Sequence, residues 1–205
     1  MDRLGPSVVV HSRARMPGVT EPTHEAQTPA PRAHTPPAPA PADLGGGPGW
    51  VIDGTTLLPR IIDPVAFREG MSTDPLADAV ETLWSGEPGR ARELLHTEEP
   101  TIRVRALRAD CARDLGEVDE ALREYADLLA ECSDSPWEPV LRQHYGKALL
   151  AAGRLGEALA EFDTAYGMRV DAGAPTDLIA SSAQARDRAR QLVEAGHQPH
   201  GASPR

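Results

Sequence analysis

Three glycines at nearly regular spacing mark the pattern that most constrains this chain. Gly86, Gly116 and Gly153 each close a stretch with helical character, and they lie 30 and 37 residues apart. Each glycine is followed five residues later by an alanine and four residues after that by a larger apolar residue: Ala91 and Leu95, Ala121 and Tyr125, Ala158 and Phe162. A period of about 30 to 40 residues with two helices per unit is typical of a helical solenoid. Because a solenoid presents a surface by default, the pattern predicts a binding protein.

Local signals place further helices around the repeat. Asp63-Pro64 followed by Gly70 predicts a short helix, with a capping residue, a first-turn proline and a C-terminal glycine. Ser135 and Glu138 form a capping box that starts the helix ending at Gly153. This extra turn explains the longer second spacing between the glycines. A last helix begins at Thr176 or Asp177, and its thin apolar stripe with a polar outer face suits the end of a solenoid.

The repeat resembles the tetratricopeptide repeat family, whose pattern W-x2-L-G-x2-Y…A-x3-F…P describes a helix–turn–helix unit of 34 residues. In the unit at 139–172, Tyr145-Gly146 stands at the family's Leu-Gly, Leu149 at its Tyr and Gly153 at its turn. The second helix of that unit matches at Ala158, Phe162 and Ala165. The unit at 102–135 matches at Ala109, Ala112, Gly116, Ala121 and Tyr125, and the one at 72–99 matches at Gly86, Ala91 and Leu95.

The resemblance implies an all-α fold: a right-handed superhelical solenoid of about three helix pairs plus a C-terminal capping helix. In this family the first helix of each unit lines a concave groove. Carried over by position, the implied protein-binding residues are Trp84, Arg103, Asp110, Arg113, Gln143, His144 and Lys147. The family's clamp for chaperone C-terminal carboxylates is absent, since Leu76, Val80 and Asp110 stand where its Lys and Asn residues would be.

Composition divides the chain near residue 70. Residues 1–49 are rich in Pro, Ala and Gly, and such a segment cannot bury enough apolar surface to offset its ordering entropy. We therefore expect a disordered tail at 1–49, an N-terminal extension with a short helix at 50–71, the repeat domain at 72–195 and a second disordered tail at 196–205. The arginine-rich, lysine-poor composition indicates a bacterium with a GC-rich genome. Whether Met1 or Met16 is the true start is left open.

Charge and hydropathy limit the partners. The net charge of −10 argues against nucleic acid and against anionic membrane surfaces, which both require a basic face. No apolar run is long enough to span a bilayer, so we expect no membrane insertion and a cytoplasmic location. Cys111 falls on an apolar stripe and is expected to be a small buried residue. The partner is expected to be another protein or peptide, and the oligomeric state is left open.

No catalytic constellation, cofactor motif or metal site emerges from the sequence. His144 lies beside Tyr145 on the helix that ends at Gly153, and no nucleophile is held next to it. It is therefore expected at a groove or surface. GGGPG at 45–49 lacks the Lys-Ser/Thr and the following helix of a phosphate loop. Three hypotheses follow: a non-catalytic interaction adaptor, a regulatory protein of a bacterial transcription or signalling system that senses through its repeats, and, as the last choice, an enzyme.

One apolar stretch lies outside the repeat. WVIDGTTLLPRIID at 50–63 is interpreted either as an N-terminal cap on the first helix pair or as an intramolecular ligand of the groove that a partner must displace. Both interpretations stay open at this level.

Overall fold

The computed structural model describes residues 40–197, which form a mostly helical fold with one small sheet. Most of the predicted 1–49 tail and residues 198–205 lie outside the described part. The elements are β1 (Leu44–Gly47), β2 (Trp50–Ile52), β3 (Pro59–Ile61), α1 (Pro64–Gly70), α2 (Ala77–Trp84), α3 (Pro88–His96), α4 (Ile102–Asp114), α5 (Val118–Glu131), α6 (Glu138–Ala151), α7 (Leu155–Asp171) and α8 (Thr176–His197).

The helices α2 to α7 fall into three consecutive pairs. The pairs α2/α3, α4/α5 and α6/α7 each pack together, and each helix from α2 to α7 packs on the next one along the chain. In addition α4 contacts α6, and α6 contacts α8. The alanines and large apolar residues that define the repeat are all completely buried: Ala91, Leu95, Ala121, Tyr125, Ala158 and Phe162.

The three repeat glycines end helices for a specific backbone reason. Gly86, Gly116 and Gly153 have φ values of 86°, 83° and 72°, in the left-handed region where a side chain is disfavoured. After α2, the Gly86 N–H donates to Leu83 O and the Glu87 N–H to Thr82 O. This pair of bonds is a Schellman motif, and α4 and α6 end with the same pattern.

A three-stranded antiparallel sheet precedes the helices, which corrects the all-α prediction. The strand order is β1-β2-β3, with Leu44 opposite Ile52 and Trp50 opposite Ile61. We call residues 44–61 the N-terminal sheet. The predicted boundary at residue 49 falls inside it, because a turn at 48–49 returns the glycine-rich β1 onto β2. The ring of Trp50 lies over Gly46 and Gly47, so close that a Cβ at either glycine would collide with it.

The turn between β2 and β3 is fixed by Asp53. Its Oδ1 accepts hydrogen bonds from the backbone N–H groups of Thr55 at 2.9 Å and Thr56 at 2.8 Å. Leu57 follows with a φ of 62°, an unusual value for a residue with a branched side chain. Its side chain is only 1% exposed, so burial compensates for the unfavourable backbone.

The core has two parts. The first gathers buried residues from α1 to α4, including Phe67, Val80, Leu83, Leu95 and the fully buried Cys111, whose predicted burial is confirmed. The second extends from α4 to α8 around Tyr125, Leu149 and Phe162, and includes Leu57 of the N-terminal sheet. The N-terminal sheet therefore contributes to both parts, since Trp50 packs against the first.

Candidate functional site

A cleft of about 670 Å³ lies between the N-terminal sheet and the helices. One wall consists of sheet residues, among them Asp53, Leu58 and Ile61. The other wall comes from three helices, namely the C-terminal end of α2, the second half of α4 and the middle of α6. Each of these is the first helix of its pair. We call this space the cleft.

Five of the seven residues predicted from the sequence line this cleft. They are Trp84, Asp110, Arg113, His144 and Lys147. Trp84 stacks at a tilt on Trp50, with ring centroids 4.7 Å apart, and also contacts Phe67. Its indole therefore joins the N-terminal sheet to α2.

The other two predicted residues have structural partners outside the cleft. Arg103 is ion-paired with Asp74 in the segment before α2, with Nη1 2.9 Å from Oδ1. Gln143 is buried, and its Oε1 accepts from Arg169 Nη1 at 2.6 Å and from Ser182 Oγ at 2.8 Å. This cluster joins α6, α7 and α8, so Gln143 serves packing between helices, whereas Arg103 joins α4 to the segment before α2.

Asp110 organises a polar cluster at the base of the cleft. Its Oδ1 accepts from an Arg113 guanidinium N–H and lies 2.8 Å from the Tyr125 hydroxyl, whose single proton it shares with the carbonyl of Ala106. Its Oδ2 lies 2.9 Å from His144 Nδ1. The Nδ1–H of His144 donates to this carboxylate, which leaves Nε2 as an acceptor in the neutral ring.

The cluster is a matched set of buried charges. Arg113 donates from Nε to Asp114 at 2.8 Å as well as to Asp110, and the side chains of Arg113 and Asp110 are only 6% and 7% exposed. Burial acts to raise the pKa of Asp110, but Arg113, His144 and Lys147 outweigh it and hold that pKa well below its ordinary value. Burial likewise acts to lower the pKa of Arg113, and Asp110 and Asp114 outweigh it, so the net shift is upward. Both groups are ionised, and each serves as a counter-ion of the other.

Lys147 differs from these neighbours. It lies on the cleft side of α6, one turn after His144, and donates to no hydrogen bond or ion pair found within residues 40–197. Burial is the main cause that lowers the pKa of its ammonium to about 8, with Asp110 acting in the opposite direction. The cleft thus holds a half-buried cation without a direct counter-ion among the described residues.

Sequence reasoning missed the sheet wall of the cleft. The signal was present, because Asp53-Gly54 between two apolar runs favours a hairpin. Asp43 secures this wall by accepting from the Gly54 N–H at 3.0 Å and pairing with Arg60 at 2.7 Å.

Residues 40–197 contain neither a cluster of metal ligands nor a helix that could cross a membrane. No group of three or more His, Cys, Asp or Glu side chains is arranged there to hold a metal ion. No helix there combines the length and apolar character needed to cross a bilayer. Comparison of the chain with protein-family models, curated proteins and solved structures finds no match.

Proposed function

We propose that this chain is a non-catalytic interaction adaptor that binds a peptide or short segment of a partner protein in the cleft. The observation that carries the proposal is the cleft itself, which collects side chains from three successive helix pairs into one opening. Ligand sites are typically concave, mainly apolar and equipped with a few polar groups, and their volumes are about 300 to 1,000 Å³. The cleft has this character, with Leu83, Trp84 and Ile61 beside Lys147.

The packing of the helices supports the tetratricopeptide-like interpretation. The contacts of α4 with α6 and of α6 with α8 are those expected when successive repeats stack through their first helices. In such a superhelix those helices line the concave face, and α2, α4 and α6 supply the helical wall of the cleft. The cleft is then the concave-face site that the family resemblance implies.

A site-specific photocrosslink tests where the partner binds. Ser85 is exposed at the mouth of the cleft, whereas Arg90 is exposed on α3 and outside it. We expect benzoylphenylalanine at position 85 to capture a partner in the producing cells, and the same group at position 90 to capture none. Adding Lys147→Glu to the position-85 variant should abolish capture while the helical circular dichroism stays unchanged. Equal capture from both positions would place the interface elsewhere.

A regulatory protein is the second candidate, because the chain's own N-terminal sheet forms one wall of the cleft. Besides the Trp50–Trp84 contact, two hydrogen bonds join this region to α8: Arg188 Nε donates to Thr55 O at 3.1 Å, and Gln184 Nε2 donates to Ala42 O at 2.9 Å. In this candidate the sheet is an intramolecular ligand that a partner displaces.

Tethering the N-terminal sheet separates the two candidates. A bismaleimide joining Thr55→Cys to Arg188→Cys would hold the sheet against α8, since Cys111 and Cys132 are buried. An adaptor with a fixed wall should capture its partner equally well before and after tethering. A regulatory protein that opens should lose capture on tethering and regain it when the linker is cleaved.

A further inference from the structure

Lys147 is the single lysine among the 21 basic residues of Lys and Arg type in this chain, and it faces the cleft. Lysine carries a compact ammonium that responds to burial, whereas arginine stays charged and spreads its donors over a planar fork. The one position that uses lysine is therefore also one where a point charge faces a cavity.

Every other charged residue that lines the cleft already has a partner within residues 40–197. These residues are Asp53, Arg60, Glu81, Asp110, Arg113 and Asp114. Their bonds to turn amides or to opposite charges leave them little capacity to neutralise a further group. In particular, the carboxylate of Asp110 is shared among Arg113, Tyr125 and His144.

No charged group among residues 40–197 pairs directly with Lys147. The groups that act most strongly on its ammonium are two carboxylates, Asp110 and Asp114, and two guanidiniums, Arg113 on α4 and Arg169 on α7. Their formal charges sum to zero, and none of them forms a hydrogen bond or ion pair with the ammonium. A half-buried cation without a counter-ion is costly, and an anion that enters the cleft would relieve that cost.

From this arrangement we infer that the cleft binds a compact organic anion whose carboxylate or phosphate group pairs with Lys147 Nζ and whose apolar part packs against Trp84 and Ile61. The inference rests on the proposed function, because it names the chemistry that the cleft recognises. The N-terminal sheet covers one side of the cleft, so the anionic group belongs to a small molecule or to a short partner segment rather than to a long chain threaded through it.

Binding of this kind is sensitive to pH through Lys147. The titratable or charged groups that face it are Asp110, Arg113 and Asp114 from α4, His144 from α6, Arg169 from α7 and, across the cleft, Asp53, Arg60 and Glu81. Hydrogen bonds lower the pKa of Asp53 and Glu81, and neighbouring cations that outweigh burial lower the pKa of Asp110. An anion paired with Lys147 favours the charged ammonium, so its affinity falls as the pH rises through the pKa of about 8.

The single lysine makes the test specific. Incorporation of ¹³Cε-lysine gives one side-chain NMR signal, whose shift against pH reports the pKa of Lys147 directly. The probes are N-acetylglycine, inorganic phosphate and, as the matched uncharged control, N-acetylglycinamide, all compared with sodium chloride at equal ionic strength. We expect at least one anionic probe to raise the Lys147 pKa by about one unit and N-acetylglycinamide to leave it unchanged.

The outcomes divide clearly. A response to N-acetylglycine alone identifies a carboxylate ligand, and a response to phosphate alone identifies a phosphate ester. If neither anion shifts the signal more than chloride does, or if the amide acts like the acid, the inference is overturned. As a second readout, the effective anion should raise the melting temperature of the wild type and of Arg90→Gln, but not of Lys147→Gln.

The anion site and the proposed adaptor function can be refuted independently of each other. If an anion titrates Lys147 but the photocrosslink at position 85 captures no partner, the anion site stands and the adaptor proposal falls. If the partner is captured through the cleft while the Lys147 signal ignores every anion, the adaptor proposal stands and the anion site falls.

Discussion

The carboxylate of Asp110 balances the charge of its neighbours and orients their side chains. It is buried, it neutralises Arg113, and it orients the rings of Tyr125 and His144 through hydrogen bonds. Removing one member of a buried charge pair is far more damaging than its net contribution suggests, because the remaining charge is left without compensation. The side chain is thus structural as well as part of the cleft wall.

We therefore expect Asp110→Ala to lower the free energy of unfolding by about 3 to 5 kcal/mol. Urea denaturation followed by circular dichroism measures this. The matched control is Asp127→Ala on α5, an exposed acid, which should change stability by no more than about 0.5 kcal/mol. A small effect at position 110 would mean that Asp114, which already accepts from Arg113 Nε, is sufficient to compensate the guanidinium.

Lys147 gives a prediction about pH. Its pKa is about 8 in the folded protein, below its ordinary value of 10.5, so between these values the unfolded chain binds more protons than the folded one. Stability contributed by this group therefore rises with pH from about 8 to 10.5. Lys147→Met should remove this pH dependence. The difference in stability between the variant and the wild type should therefore favour the variant more at pH 7 than at pH 10.

Denaturation curves at a series of pH values, in a zwitterionic buffer, measure the difference between the two proteins. Arg90→Gln should keep the wild-type pH profile, because this arginine is exposed and outside the cleft. If wild type and Lys147→Met run parallel across this range, the lowered pKa of Lys147 is wrong.

At the scale of elements, α6 and α7 cross where a glycine meets an aromatic ring. A Cβ added at Gly146 would lie 2.5 Å from Phe162 Cε1, closer than packed atoms allow. Because Phe162 is fully buried, its ring cannot move aside without disturbing the core. The small residue is therefore required by the close approach of these two helices.

Gly146→Ala should destabilise the protein by about 1 to 3 kcal/mol through overpacking, and Gly146→Leu should destabilise it further. Gly167→Ala on α7 is the matched control, since a Cβ there meets nothing within 4 Å. That change should stabilise by about 0.5 to 1 kcal/mol through helix propensity. Thermal melts of the three variants measure these effects. If Gly146→Ala left the melting temperature unchanged, it would contradict the close approach of α6 and α7 at this residue.

At the scale of the whole molecule, the N-terminal sheet completes the helical domain. Leu57 enters the core part built from α4 to α8, while Trp50 packs against the part built from α1 to α4. The sheet thus contributes to stability as well as to the cleft.

Two truncations test this. A chain that starts at residue 40 should unfold like the full-length chain, since the removed segment is rich in Pro and Ala and offers few large apolar side chains for burial. A chain that starts at residue 62 should lose at least about 2 kcal/mol, because it no longer buries Leu57 and Trp50. Urea midpoints of both chains measure the difference, and equal midpoints would show that the sheet is a dispensable cover.

The sequence by itself determined the repeat register. Gly86, Gly116 and Gly153 could be placed at helix ends, and Ala121 with Tyr125 on a buried face, because helix termination and amphipathic spacing depend on residues only a few positions apart. The short α1 was predictable for the same reason, since Asp63 caps it through its own neighbours.

Only the tertiary structure decided which charges meet. Arg103 and Gln143 lie on the same helices as cleft residues, yet Arg103 pairs with Asp74 and Gln143 with Arg169 and Ser182. Equally, nothing local says that the N-terminal sheet covers the helices or that Lys147 is left unpaired among residues 40–197. An ion pair needs its two groups within about 4 Å, and that distance is set by how whole elements pack, which no local pattern encodes.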